Sequence, residues 1–441
     1  MSESGTYLKP FAADSLWNSI PLNPSFGSYQ IPKVSTGWFP SIKEGAYSLQ
    51  CFLATPTDPP MQVFGTDGKV IQTQGPYSPD DGSHPVINIP HWPAATVAAT
   101  GNDGHADIFD EDAGVIHSFW GLKNINGVWC AKQYSWAPLG GTGWGDGGHF
   151  NQGARAAGCA TSAGLIRTHE VKDGDEVYRH ALALSLDPSA LGMPYVFPAT
   201  SQDINAPSVY KGQIPMGSRM MLPPAFDYSA VKNPDLLKVI KTLMLYGAYV
   251  VDMNYGTPFA IYVENGSGFN LMPNGWDNTI ATQLMSIANA FRVATASQFV
   301  PGAIPFAPNQ KVNLLSLRGG WSGPSGSPLG VFNSLQQRLI FPPTAKKIVQ
   351  KQLNHTEWHP MPWAALAPGK SYMLSVQASG GATLQVAFYD QNWGTILQTP
   401  VLGDGQSAIF TAPADIGRAS LVASSGVGTS PSSVGATLIE Q

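Results

Sequence analysis

Two short apolar runs face each other across a Glu-Asp-Ala-Gly turn in GHADIFDEDAGVIHSFWG (104–121). The runs are too short for helices and are bounded by turn-forming residues, so the stretch predicts a β-hairpin. VWCAKQYSW (128–136) follows with period-two alternation and extends the hairpin into a meander. The same rhythm of strand and turn recurs from about residue 10 to 220. With 47 Gly and 37 Pro beside 12 Trp, 15 Tyr and 19 Phe, the chain suits many short strands joined by tight turns. The expected fold class is mainly β, a jelly-roll-like antiparallel β-sandwich with a few buttressing helices and a small C-terminal β-sandwich module.

Two helices are predicted. Asn233 can cap the first, with Pro234 at its opening position and Leu236, Ile240, Leu243 and Met244 as its apolar stripe. The second, NTIATQLMSIANAF (278–291), places Ile280, Leu284, Ile287 and Phe291 at helical spacing. After residue 296 the chain becomes rich in Pro and Gly, and SYMLSVQAS, TLQVAFYD and ASLVASS then alternate as short strands. The expected organisation is a β-sandwich body with the site over 1–295, a connecting region over 296–369, and a small β-sandwich over 370–441. That last module is expected to bind glycan or to form oligomers.

Charge narrows the function. Only 12% of residues are charged and the formal net charge is −5, so no basic face exists to neutralise phosphates, and nucleic acid is excluded as a partner. No apolar stretch reaches the ~20 residues that span a bilayer. The opening MSESGTYLKPF lacks the charged and apolar regions of a signal peptide, so synthesis in the cytoplasm is expected. Cys51, Cys130 and Cys159 are widely spaced, with no pattern for a disulfide framework or a zinc-thiolate site, and are expected to be reduced and buried. The glycine-rich PLGGTGWGDGGHFNQGARAAG (138–158) lacks the Gly-Lys-Ser/Thr ending of a phosphate loop. It is read as a mobile or irregular loop.

The chemistry concentrates in SAGLIRTHEVKDGDEVYRHALALSL (162–186). Asp173-Gly174 is a strong hairpin turn signal. Centred there, Arg167 opposes His180 and His169 opposes Tyr178, and these four side chains project from one sheet face, with Glu170 and Arg179 on the other. Arg, His and Tyr on one face are the equipment for cleaving an acidic polysaccharide by β-elimination. Arg neutralises the uronate carboxylate, one His or Tyr removes the neighbouring proton, and another protonates the leaving oxygen. A hydrolase needs two carboxyls instead, for which Asp107, Asp110, Asp146 and Glu170 are candidates. His105 and Asp107, two apart on one strand, could share a divalent metal with His117 or Glu170, although no cofactor is required. The catalytic candidates are therefore His105, Arg167, His169, Glu170, Tyr178 and His180. Asp107, His117, Trp120, Trp144, His149 and Arg179 are the candidate substrate contacts.

PFAADSLWNSIP, GHADIFDED, SAGLIRTHEV, RHALALSL and IPMGSRMMLP, followed by LYGAYVVD, resemble in their order a group of poorly characterised bacterial and fungal β-rich proteins over roughly residues 10–295. The resemblance implies a β-rich body with His105, Arg167, Glu170 and His180 at its site, and the turn between Glu170 and His180 is longer here than in that pattern. It carries no settled reaction. Proteins of the group are often exported; a chain without an export signal and with an added β-rich module resembles a phage tail spike or fibre. The expectation is a homo-oligomeric, virion-associated depolymerase, released by lysis, that acts on bacterial surface polysaccharide beside other tail proteins. Its alternative is a non-catalytic receptor-binding or structural virion protein in which the polar cluster braces the sheet.

Overall fold

The computed structural model describes residues 4–73, 82–300, 312–318, 320–333, 336–352 and 365–441. The protein is mainly β with several antiparallel sheets, and the chain divides into two compact units. The first takes in most of the chain up to Phe306, and the second is built chiefly from Ala307–Gln441. Among the described residues no helix is long and apolar enough to cross a membrane. Cys51, Cys130 and Cys159 are buried and unpaired.

In the first unit the predicted hairpin forms. Ala106–Asp110 pairs antiparallel with Val115–Trp120, Ala106 opposite Phe119, and Gln133–Pro138 adds to the far side of the second strand. The largest sheet has seven strands and is mixed. In its interior Leu182–Leu186 runs parallel to Ala248–Met253 and antiparallel to Phe259–Tyr262. A strand with neighbours on both sides and packing on both faces reads as continuous hydrophobicity, and every residue of Leu182–Leu186 is buried.

Both predicted helices are present. Asn233 Oδ1 accepts from Leu236 N at 3.0 Å, which caps Pro234–Leu245, and Gly247 takes a positive φ of 74° after its end. Asp277 caps Asn278–Ala290 by accepting from Thr279 N and Ile280 N. Leu236, Ile240 and Leu243 from one helix and Ile280, Leu284 and Ile287 from the other enter the same core.

The segment before the strand Ile20–Phe26 is fastened by one buried cation. Arg219, from the IPMGSRMMLP stretch, donates to Ser19 O at 2.8 Å and to Tyr246 O at 2.7 Å, and stacks 4.9 Å from the Tyr249 ring centroid. Trp17 lies parallel to Trp144 with centroids 4.8 Å apart. The glycine-rich stretch is accordingly packed at this point: Gly143, at φ 72°, leaves room for Phe11 and Trp17, which a Cβ would meet at 2.9 and 2.8 Å.

The second unit is a β-sandwich. One sheet orders Val331–Asn333, Arg338–Phe341, Ser432–Glu440, Ser371–Ser379 and Ser407–Thr411; the other orders Val349–Gln352, Arg418–Ser424, Thr383–Tyr389 and Thr395–Gln398. Tyr372, Leu374 and Val376 alternate inward from the first sheet, Leu384, Val386 and Phe388 from the second. The sequence reading places connecting chain over 296–369, but three of these strands arise there and pair into the sandwich sheets. The rest of that region includes 301–311 and 353–364, which lie outside the described residues.

Candidate functional site

The hairpin expected around Asp173-Gly174 does not form. Gly174 does take a positive φ of 85°, and Asp173 Oδ1 accepts from Asp175 N at 2.9 Å, so the turn itself is real. The flanking residues never make a ladder because side chains capture their backbone donors. Arg167 N donates to Glu170 Oε2 at 3.0 Å, Thr168 N to Glu264 Oε2 at 2.8 Å and Tyr178 N to Thr242 Oγ1 at 2.8 Å. Thr168–Glu170 becomes a single 3-10 turn, and regular strand begins only at Leu182.

This wrapped segment still gathers charge. A cavity of about 360 Å3 has one wall from Leu8–Phe11 and the other from Arg167, His169, Glu170 and His180, with Trp17 among its apolar lining. Asp173, Asp175 and Arg179 also line it. The wrap thus brings residues from both faces of the expected hairpin to one place. Tyr178 is the exception: it is buried, with Lys238 Nζ 4.6 Å from its ring centroid.

Each ring of the two histidines has a defined proton. His180 Nδ1 donates to Ala181 O at 2.8 Å and Nε2 to Glu170 Oε2 at 3.1 Å, so both nitrogens meet acceptors and the ring is held as imidazolium. Burial alone pulls the His180 pKa down, but the Glu170 carboxylate and the two hydrogen bonds outweigh it and raise it above 6.5. Burial likewise pushes Glu170 up, and the charge and hydrogen bond of His180, with the Arg167 N–H, bring it below 4.5. His169 is the converse. Its Nε2 donates to Leu8 O at 3.1 Å, while burial, and secondarily Arg167, lowers its pKa against the pull of Glu170. The ring is neutral at pH 7 with its proton on Nε2, and Nδ1 keeps a lone pair.

The Glu170–His180 pair makes stability depend on pH in both directions. The raised His180 contributes fully below 6.5 and loses its contribution as pH rises through its folded pKa; the lowered Glu170 contributes above 4.5 and loses it as pH falls. The thermal midpoint of the parent should therefore exceed that of His180→Gln most between those values, with the gap closing on either side. A gap that does not change with pH would exclude the charged pair.

Arg167 is committed elsewhere. Its Nε donates to Glu264 Oε2 at 3.0 Å and Nη1 to Tyr7 O at 3.2 Å, and its guanidinium lies 4.5 Å from the Tyr7 ring centroid and 4.9 Å from that of Phe109. Glu264 also accepts from Cys51 N at 3.0 Å. Instead of standing free in a groove, Arg167 is the cation of a buried ion pair. Arg179 sits at the exposed rim, bidentate to Asp175 at 2.7 and 2.8 Å. Lys9 lines the cavity with no hydrogen-bond or ion-pair partner for its amine among the described residues.

The other sequence candidates do not line this cavity. His105 is buried, and burial with the charge of Arg155 lowers its pKa to about 3; its Nδ1 donates to Phe119 O at 3.2 Å. Asp107 is buried and accepts from Ser162 N at 2.7 Å. His117 bonds Tyr134 Oη at 2.8 Å beneath the sheet, and Asp110 is bonded to His91 at 2.8 Å. Trp120 donates to Asp103 at 3.0 Å, and Trp144 stacks in the core. His149 belongs to the second unit, where its backbone N–H donates to Asp146 Oδ1 at 2.9 Å. Among the described residues no three His, Cys, Asp or Glu are grouped to hold a metal ion, so the set of His105, Asp107 and His117 or Glu170 is not assembled. Sequence reasoning missed Lys9 and Asn18, which line the cavity, and Glu264, which holds Arg167. The first two lie in the segment PFAADSLWNSIP and just before it, where the family resemblance was the only signal.

Fold and cavity define a mainly β protein whose first unit carries a charged cavity with two histidines in opposite protonation states. No protein-family model matches the chain, and no curated protein does. Among solved structures it is similar to the Glycosylation Associate Protein (Gap123) complex from Streptococcus agalactiae, at 16% identity and TM-score 0.16 over 22% of this chain and 37% of that one. It is also similar to a family 16 carbohydrate binding module, at 15% identity and TM-score 0.19 over 27% of this chain and 90% of that one. A third is the enzymatically active domain of tailspike protein 4 of bacteriophage CBA120, at 13% identity and TM-score 0.18 over 28% of this chain and 18% of that one. At scores this low none of these likenesses defines the fold or a function of this chain.

Proposed function

We propose that the first unit cleaves an acidic bacterial surface polysaccharide by β-elimination in the cavity beside Glu170. The observation that carries this reading is the presence, in one cavity, of a neutral histidine with an open Nδ1 and a second histidine held as imidazolium by a carboxylate. In β-elimination a base removes the proton next to the uronate carboxyl, the bond to the departing oxygen breaks, and an acid protonates that oxygen. His169 takes the first role; His180 takes the second as its Nε2–H leaves Glu170 Oε2 for the departing oxygen. Lys9, which has no carboxylate partner among the described residues, supplies the positive charge that Arg167 has already given to Glu264.

Hydrolysis requires one carboxyl kept protonated near neutrality. Glu170 lies below the usual carboxylate range for the reasons above, and Asp175 is lowered by its hydrogen bonds to Arg179, so both point away from that chemistry. A phage-tail setting, with release by lysis and homo-oligomeric assembly, belongs to the same proposal and is supported by the sequence resemblance alone.

The test is to incubate the purified chain with a panel of bacterial polysaccharides while following ultraviolet absorbance of unsaturated uronates together with reducing ends. A rise in both is expected. Reducing ends alone would make the enzyme a hydrolase, and binding without either would leave a glycan-binding protein whose polar cluster braces the fold.

A further inference from the structure

The strand Leu182–Leu186 has His180 ahead of it and Asp187 directly after it. At roughly 3.3 Å per residue these lie on the order of 20 Å apart, so whatever gathers around Asp187 is separate from the charged cavity. The parallel neighbour Ala248–Met253 leaves the sheet at the same end, Met253 opposite Leu186, and runs into Tyr255. There a second cavity of about 440 Å3 opens among Ser35, Thr36, Trp38, Asp187 and Tyr255, and it shares no lining residue with the first.

Trp38 and Tyr255 are each 70% exposed, although their frame is fixed. Thr36 Oγ1 donates to Gly256 O at 2.7 Å, Gly256 N donates to Asp187 Oδ2 at 3.0 Å, and Ser189 closes the other carboxylate oxygen at 2.6 Å. One residue along the chain from Trp38, Phe39 meets Trp276 edge to face with centroids 5.2 Å apart, and Trp276 is 63% exposed. Thr257 Oγ1 pins the Phe39 carbonyl at 2.6 Å. Tyr255, Trp38, Phe39 and Trp276 thus form a strip of rings on three loops: the hydrogen bonds tie the first two loops to each other, and the Phe39–Trp276 contact joins the third.

We propose that this strip and its cavity bind a chain of neutral pyranose sugars, independently of the chemistry at His169. A pyranose offers a C–H face that stacks on an aromatic ring and hydroxyls around its edge. The Ser35 and Thr36 hydroxyls and the Asp187 carboxylate share the cavity with the rings, and an apolar occupant would strip water from them and return no hydrogen bonds. The lining holds a carboxylate and no cation, so a sugar acid meets repulsion that a neutral sugar avoids. Rings spaced along a strip favour a polymer over a single sugar.

Affinity electrophoresis of the full chain through gels containing a mixed-linkage glucan, a xylan or a mannan tests this. At least one gel should retard the parent protein, and Trp38→Ala/Tyr255→Ala should weaken that retardation about tenfold or more. Glu170→Gln should leave it unchanged, which separates this site from the first. Because both rings are exposed, the double variant should keep the parent's thermal midpoint, so lost binding is not lost folding. Failure of all three gels to retard the parent, or equal retardation of the double variant, overturns the proposal. A double variant that sediments differently yet is retarded like the parent would make the strip a protein contact, which overturns it as well.

Discussion

Exchanging Glu264 for glutamine destabilises the first unit by about 3–5 kcal/mol, because it leaves the Arg167 guanidinium buried without its counter-charge. Both side chains are almost wholly enclosed, at 4% and 3% exposure, so solvent cannot replace the missing partner. Glutamine keeps the shape and one acceptor oxygen, and the loss therefore reports charge more than packing. Glu264 also receives the backbone N–H groups of Cys51 and Thr168, which ties the strand Cys51–Ala54, the turn at Thr168 and the end of Phe259–Tyr262 to one carboxylate. A buried cation without a partner costs more than a removed pair, so Arg167→Met combined with Glu264→Gln should recover more than half of the loss. Chemical denaturation of the parent, both single variants and the double variant measures this. If Glu264→Gln shifts the transition by no more than a surface substitution does, about 0.5 kcal/mol, the ion pair is not what holds the cavity's inner wall.

The parts of the fold that were legible in the sequence are those settled by neighbours in the chain. Asn233-Pro234 and the stripe from Leu236 to Leu243 define their helix locally, and the Glu-Asp-Ala-Gly turn fixes the pairing of Ala106–Asp110 with Val115–Trp120. Alternation in Ser371–Ser379 announces a half-buried strand by itself. The candidate site was legible as a region but not as an arrangement. Asp173-Gly174 makes its turn, yet the strands beside it are undone by Glu264 and Thr242, 96 and 64 residues away from the N–H groups they capture. Local propensity carries no trace of such partners. For the same reason Arg167 read as a free cation, His180 as one of several candidate acids or bases, and Lys9 as nothing at all. His105, Asp107 and His117 drew attention through residue type, but the sheet that was correctly foreseen turns them into its own interior.

His169→Gln should lower turnover by roughly 10²–10⁴-fold with the thermal midpoint unchanged, which places the base at a residue that the fold does not need. Glutamine can still donate to the Leu8 carbonyl, but it cannot accept a proton, so the substitution removes the chemistry and keeps the contact. The two histidines are pushed apart, His169 below 6.5 and His180 above it, and only between their pKa values is the base unprotonated while the acid is protonated. The rate should accordingly follow a bell, with the acidic limb set by His169 and the alkaline limb by His180. The reverse assignment asks His180 to lose the proton that Glu170 stabilises and His169 to gain one that burial resists, a form scarcely populated at any pH. In His169→Gln the acidic limb should disappear from the residual activity while the alkaline limb persists. A variant that keeps full activity and both limbs would remove His169 from the reaction and return the pair of Glu170 and His180 to the role of a brace.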